Sequence, residues 1–394
     1  MGNLGRIGVA FGALCLVTSC SSNSTDRPAD SFDRAAMLTD YGANIVIPTY
    51  LQISTASASL GSSLESHCQA IGTASEGDAQ ATSQAAWREL MTAWQTAEVM
   101  QVGPVSDNAG DLHDSIYSWP VTSTCAIDID ADAIHRTPGT FSLDGKLPNR
   151  RGLDALEYLL FTTDLNHSCS PQNAPAGWNE LPSLDRSRAR CNLALAMATE
   201  IAASSAGLLE TWNTGYGSAL AQSGREGGAF PKAQDALNRI SDALFYLDGA
   251  VKDMKLAEPA GITVNRCGMA GVVCPEELEA RLSGFSKASI RSNLVGYQAV
   301  FLGQFENADN GIGFEEFLTE LGGEDLALQM KDDIEAAIAS VDAIPGTLED
   351  AIQSAPNQVE AAHTAIRTVT DNMKSQFLTI LGLDLPDSAA GDND

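Results

Sequence analysis

The chain has 394 residues, 44% of them hydrophobic, with 23 Lys and Arg against 51 Asp and Glu and a formal net charge of −28 at pH 7. That hydrophobic share is ample for a buried core, and the length points to two domains. The negative balance excludes nucleic acid and anionic lipid headgroups as partners, and leaves cations, metal ions and basic protein surfaces.

The first elements concern export. Arg6 precedes an apolar stretch that runs to Val17 and ends in Val17-Thr18-Ser19-Cys20. A segment this short, with small residues before its end, reads as a signal peptide over 1–19 and is too short to span a bilayer as a mature helix. The tetrapeptide resembles a lipobox, so Cys20 is expected to carry a lipid and become the first mature residue. Ser21 in place of Asp resembles outer-membrane sorting, which predicts an outer-membrane lipoprotein facing the periplasm or the surface. Residues 20–34 are polar, contain Pro28 and read as a flexible tether. Loss of Arg6 leaves 22 cationic against 51 acidic side chains, a mature charge of −29.

Helical signals dominate the rest. Residues 38–71 read as one long helix disturbed at Pro48, and 79–102 as a second, ended by Gly103-Pro104. On that second helix Trp87, Met91, Trp94 and Glu98 recur at spacings of four, three and four, which puts a carboxylate on an otherwise apolar stripe. A short turn is expected over 111–119, a loop over 121–149, and helices over 152–163 and 188–212. The glycine-rich stretch 215–228 is the candidate linker. Further helices are expected over 231–257, 275–305, 312–321, 325–344 and 347–381, with a two-cysteine loop over 258–274. The pattern predicts an all-α protein of two helical bundles, 35–214 and 229–385, followed by an acidic tail over 386–394 in which Asp392 and Asp394 stand.

Cys68, Cys125, Cys169, Cys191, Cys267 and Cys274 read as three disulfides in an oxidising compartment, and six cysteines allow 15 pairings. Proximity along the chain favours Cys267–Cys274 and Cys169–Cys191, which leaves Cys68–Cys125.

The strongest local signal is the segment from Arg151 to Phe161. On a helix Asp154 and Glu157 share a face, three residues apart, while Leu153, Leu156, Tyr158, Leu159, Leu160 and Phe161 make the remaining surface apolar. Such a helix is buried, so its two acids need a cationic partner, a proton or a bound cation. Arg150 and Arg151 are the nearest partners. His113, beside Asp114 and close to the Trp119-Pro120 block, is the histidine best placed for a site. Arg291 is a second cation that could reach the same carboxylates.

The segment is similar to the Gly-x-His-x-x-Glu signature of the imelysin family. The resemblance is carried further by the block from Asn44 to Tyr50, by Trp94 through Glu98 to Gly103-Pro104, and by Ile116-Tyr117-Ser118-Trp119-Pro120. Later blocks run from Lys252 to Pro259, from Ser289 to Leu294, and from Leu381 to Pro386, ending in Gly391-Asp392-Asn393-Asp394. It implies two helical-bundle domains, an exported location and a site near their interface, in a family that carries a peptidase label and includes proteins tied to iron uptake. Gly152 and Glu157 match the signature, but Asp154 stands where His is expected. A carboxylate is a harder ligand than imidazole and favours oxygen-loving cations, which weakens the peptidase reading.

The site residues expected on these grounds are Asp154, Glu157 and Glu98 for a metal, and Gly152, Trp119, Arg291 and His113 for a ligand. The expected function is that of a non-catalytic lipoprotein that binds iron, another divalent cation or a metal-bearing ligand, as an accessory of envelope metal uptake beside an outer-membrane transporter. Two readings stay open beside it: a zinc-dependent peptidase with Glu157 as general base, and a structural or interaction protein of the cell envelope.

Overall fold

Asp33 accepts the Ala36 N–H at 3.0 Å and so caps the first helix, α1 (Arg34–Asp40), a contact of a kind that contributes about 1 kcal/mol. The computed structural model describes residues 30–305, 311–386 and 389. The export signal, Cys20, most of the tether, and Asp392 and Asp394 in the tail lie outside the described residues. A π-helical turn, Tyr41–Val46, carries α1 into α2 (Ile47–Ala70). Pro48 is the second residue of α2, directly after the π-turn, and the helix runs on through it, the π-turn marking where the regular ladder is interrupted. The long helix expected over 38–71 is therefore real, with its irregularity in the π-turn that precedes the proline.

Next come α3 (Glu76–Ala97), α4 (Asp111–Ile116), α5 (Thr124–Arg136) and α6 (Gly152–Phe161). The long α7 (Ser183–Thr211) passes through a π-turn, Trp212–Tyr216, into α8 (Gly217–Ala221), so the glycine-rich stretch 215–228 begins as helix. α9 (Ala233–Leu244), a π-helical segment Leu247–Ala257 and the short α10 (Glu258–Ala260) follow. The chain closes with α11 (Ser286–Leu302), α12 (Phe314–Glu320), α13 (Glu324–Asp342), α14 (Leu348–Ser354), α15 (Pro356–Asn372) and α16 (Leu378–Leu381). The fold is all-α. Among the described residues there is no strand, only the isolated bridge between Asn265 and Gly268.

α2 packs on α3 and α7, and α5 and α6 both pack on α7. α13 packs on α11, α12 and α15, and the π segment Leu247–Ala257 lies on α11 and α15. α3 runs against α11 and ties the two groups together. The described residues from Phe32 onward form one compact unit. The contact between α3 and α11 is backbone-close at Gly296, where a Cβ would stand 2.1 Å from the Thr96 carbonyl oxygen.

Three expectations are corrected. The loop expected over 121–149 contains α5, capped by Ser123. Its Ile127, Ala131 and Ile134 are buried, and so are Asp128, Asp130 and Asp132. Aspartates usually mark loops, but each of these has an ion-pair partner that lets it sit inside a helix. Asp128 pairs with Arg190, Asp130 with Lys146 and Arg150, and Asp132 with Arg136. The helix expected over 275–305 starts only at Ser286, after a 3-10 turn at Pro275–Glu277. The disulfides are Cys68–Cys191, Cys125–Cys169 and Cys267–Cys274. Closeness in sequence misassigned the first two, because α7 runs alongside α2 and brings Cys191 to the end of that helix, while the loop holding Cys169 folds back onto the start of α5.

Candidate functional site

α6 begins at Gly152, whose φ is +88°, and a Cβ there would stand 2.7 Å from the Ile116 carbonyl oxygen. Glycine is therefore required both by conformation and by the close approach of the chain leaving α4. This approach sets Ser118 and Trp119 over the first turn of α6. Their N–H groups donate to Asp154 Oδ2 at 2.7 and 3.0 Å. Glu157, one turn on, accepts the Ser283 N–H at 2.7 Å. Both acids are buried. Burial raises the Asp154 pKa to about 6, offset in part by the two N–H donors. Burial likewise raises Glu157 to about 7, with Asp154 and Glu349 adding to it and Ser283 opposing.

Among the described residues neither acid forms an ion pair with the cations that flank its helix. Arg150 pairs with Asp130, and Arg151 pairs with Glu200 at 2.9 Å. Among the described residues, no Lys or Arg forms an ion pair with Asp154 or Glu157. The nearest cations in sequence are thus spent elsewhere.

Glu98 closes the stripe just past the end of α3, in a 3-10 turn. It is buried and lies 3.1 Å from His113 Nε2, and it accepts from Gln101 Nε2 at 2.8 Å. His113 Nδ1 lies 2.9 Å from Asp114. Burial alone would push the His113 pKa down, but Glu98 and then Asp114 outweigh it and raise it to about 9. The same contact holds Glu98 below the usual carboxylate range despite its burial. His113 and Glu98 are thus a charged pair at neutral pH. Tyr246 shares the Glu98 carboxylate, and its phenol is pushed well up by burial and then by that charge.

Two further groups complete the cluster. Lys255, on the π segment, donates to Gln95 at 2.6 Å, to Glu279 at 2.9 Å and to Asn293 at 3.0 Å. Its ammonium lies 5.1 Å from the Tyr246 ring centre and 5.8 Å from that of Trp119. Glu279 also accepts from Gln95 Nε2 at 3.0 Å and from the Tyr117 hydroxyl. Burial pushes Lys255 down to about 7, against the fields of Glu98 and Asp154, and pushes Glu279 well up, with the Glu98 charge adding to it. The same loss of water opposes the charged form of each member, while three acceptors and the fields of Glu98 and Asp154 hold the ammonium of Lys255 in place.

The structure therefore draws Gly152, Asp154, Glu157, Glu98, His113 and Trp119 into one region. Arg291 does not join them: it is turned outward and pairs with Asp342 at 2.8 Å. Lys255, Glu279, Tyr117, Tyr246, Gln95 and Asn293 were not singled out as site residues in the sequence. The blocks containing Gln95, Tyr117, Lys255 and Asn293 carried a hint, through the family resemblance, whereas Tyr246 and Glu279 lie outside every such block. A cavity of about 290 Å³, lined by Gln101, Arg239, Asp242, Phe245 and Tyr246, ends against Glu98. A second, of about 200 Å³, is lined by Trp119, Met254, Glu258, Arg266 and Glu277.

Asp154, Glu157 and Glu98 do not close into a set of three ligands. Among the described residues, the group of His, Cys, Asp or Glu ligand atoms lying within 4.8 Å of one another is Cys267, Cys274 and Glu276. Both sulfurs of that group are joined in a disulfide and offer no thiolate.

The family model of imelysin, peptidase M75, matches residues 46–376. Two solved structures share the fold. One is a protein from Parabacteroides distasonis described as an iron-regulated protein A precursor, 16% identical, with a TM-score of 0.68 over 91% of this chain and 99% of that one. The other is an imelysin-like protein from Psychrobacter arcticum, 17% identical, with a TM-score of 0.66 over the same shares. No curated protein matches the chain.

Proposed function

Because the chain belongs to the imelysin family, we propose that it is an exported, non-catalytic lipoprotein that binds a metal-bearing cation, iron foremost, at the Asp154–Glu157–Glu98 cluster as an accessory of envelope metal uptake. The observation that carries this reading is the contrast between two sets of buried acids. Asp128 and Asp130 are neutralised by arginine or lysine, whereas Asp154 and Glu157 are held by backbone N–H groups, and burial raises the pKa of both. A carboxylate whose charge is disfavoured only by burial is one that a cation stabilises, displacing the proton where one is held. The acids do not meet at one point, which favours a cation that brings ligands of its own, such as water or a chelator, over a bare ion in a full protein cage.

A zinc peptidase needs three converging protein ligands and an open position. The described residues do not supply that set around Glu157, and Asp154 replaces the signature histidine, which speaks against Glu157 as the general base of a zinc peptidase.

Titration of the purified full chain with Fe(II), Mn(II) and Zn(II), with bound metal counted after gel filtration at pH 6, 7 and 8, tests the reading. One ion per chain is expected, held more tightly as the pH rises and lost in the double variant Asp154→Asn/Glu157→Gln. Absence of a stoichiometric ion at every pH would remove the proposal. The lipoprotein part has its own check: Cys20→Ala should move the protein from the membrane fraction to the soluble one.

A further inference from the structure

The interior of the cluster is not simply acidic. Its centre is occupied by the ammonium of Lys255, which is 1% exposed. All three donors of that ammonium are taken, by Gln95 from α3, by Asn293 from α11 and by Glu279. Two aromatic rings stand beside it: Tyr246, just ahead of the π segment, and Trp119, from the chain that leaves α4. Carboxylate, amide oxygens and aromatic faces arranged around one positive point make a box for an organic or metal-bearing cation. Here the chain fills the box itself.

Lysines more often run their stem along apolar surface and leave the head in water. The neighbouring Lys252 shows the ordinary buried alternative, pairing with Asp248 and Asp253 of its own helical segment at 3.2 and 3.3 Å. Lys255 differs, since its partners come from several separate elements and converge on its head group. A buried ion pair is seldom the most stable solution, as apolar residues of the same volume do as well or better. Stability alone therefore gives weak grounds for keeping a lysine at this point. Its charge also lies in the combined field of Glu98 and Asp154, the acids on which the cation-binding reading depends.

We propose that Lys255 is a tethered occupant of a cation box and the specificity-determining residue of the site: its ammonium holds the place of the guest, and a guest enters by displacing it. The competition with a guest rests on the function proposed above, while the tethered occupancy stands without it.

Two variants test the parts separately. Lys255→Ala removes the length of propylammonium from the box. Propylammonium should then raise the thermal midpoint of that variant, by about 2 °C or more, while leaving the unaltered protein unmoved. Propanol should do neither. If propylammonium and propanol act alike, the box is not a cation site and the proposal falls. Should Lys255→Ala need help to fold, the same pair of compounds is compared by yield on refolding. Lys255→Met keeps the volume and removes the charge. With Mn(II) and Fe(II) as probes it should bind at least about tenfold more tightly than the unaltered chain, and unchanged or weaker binding overturns the competition. Rescue by propylammonium with no metal bound by any form would sink the cation-uptake reading and leave the tethered occupant in place.

Discussion

Asp154 and Glu157 are residues whose protons carry a thermodynamic signature. In the unfolded chain they titrate near their ordinary values of 3.8 and 4.5, and in the fold near 6 and 7. Below about pH 3 both states hold the protons and nothing is lost. As the pH rises, the unfolded chain releases them first while the folded chain must keep them or bury a charge, so stability falls until the folded values are passed. For Glu157 the loss is about 3 kcal/mol by pH 8. Glu157→Gln keeps the oxygen that accepts the Ser283 N–H and removes the titration. We therefore expect equal thermal midpoints for the two proteins near pH 4 and a higher one for Glu157→Gln at pH 8. A variant less stable than the unaltered chain at pH 8 would mean that the charge is compensated by a group the structure does not place there. Much of this acid face was legible in the sequence. The spacing of Asp154 and Glu157 within an apolar helix forces both inward, and Glu98 lies on the Trp87–Trp94 stripe. Their companions were not legible, because Lys255 and Glu279 reach the site from distant segments and no local period marks a polar group whose partner is more than a hundred residues away.

At the scale of helices, the site depends on how closely α11 approaches α3. Asn293, on α11, donates to the Gln95 carbonyl and side chain at 2.7 and 2.9 Å, and one turn later Gly296 meets the Thr96 carbonyl. A methyl group at Gly296 would clash with backbone rather than with a side chain that can rotate away. Gly296→Ala should therefore force α11 off α3, at a cost of about 3 kcal/mol, toward the upper end for overpacked contacts. The same shift would draw Asn293 away from Lys255. The expected result is a lower thermal midpoint together with a change in near-ultraviolet circular dichroism from the adjoining Trp94 and Trp119. A variant as stable as the parent would show that the helices can separate without loss. Helix positions were mostly readable from apolar spacing and from Gly and Pro, as α2, α3, α7 and α13 show. α5 was not, since Asp128, Asp130 and Asp132 weaken every local helix signal; Asp132 finds Arg136 one turn on within the helix, but Asp128 and Asp130 become acceptable only when Arg190, Lys146 and Arg150 arrive from outside it.

Across the whole molecule, the three disulfides span very unequal lengths of chain. Cys68–Cys191 joins residues 123 apart, Cys125–Cys169 residues 44 apart and Cys267–Cys274 residues 7 apart. Their pairing follows from the way α2, α5 and α7 pack, which is why closeness along the chain misled. If a cross-link acts by restricting the unfolded chain, its effect grows with the loop it closes, to about 5, 4 and 2.4 kcal/mol for the three in that order. The first of these is comparable with the entire net stability of many domains. Paired Cys→Ser variants compared by calorimetry should therefore rank with Cys68–Cys191 as the most damaging and Cys267–Cys274 as the least. Loss of the first should also loosen α2 from α7 in hydrogen exchange, whereas loss of the last should loosen only the loop between Gly261 and Cys274. The reverse ranking would place the contribution of the short link in the folded state, as a brace on the chain that carries Glu276, Glu277 and Glu279 toward Trp119 and Lys255. Removing it would then disturb the cluster more than the overall fold, and the calorimetric loss would be matched by a change in cation uptake.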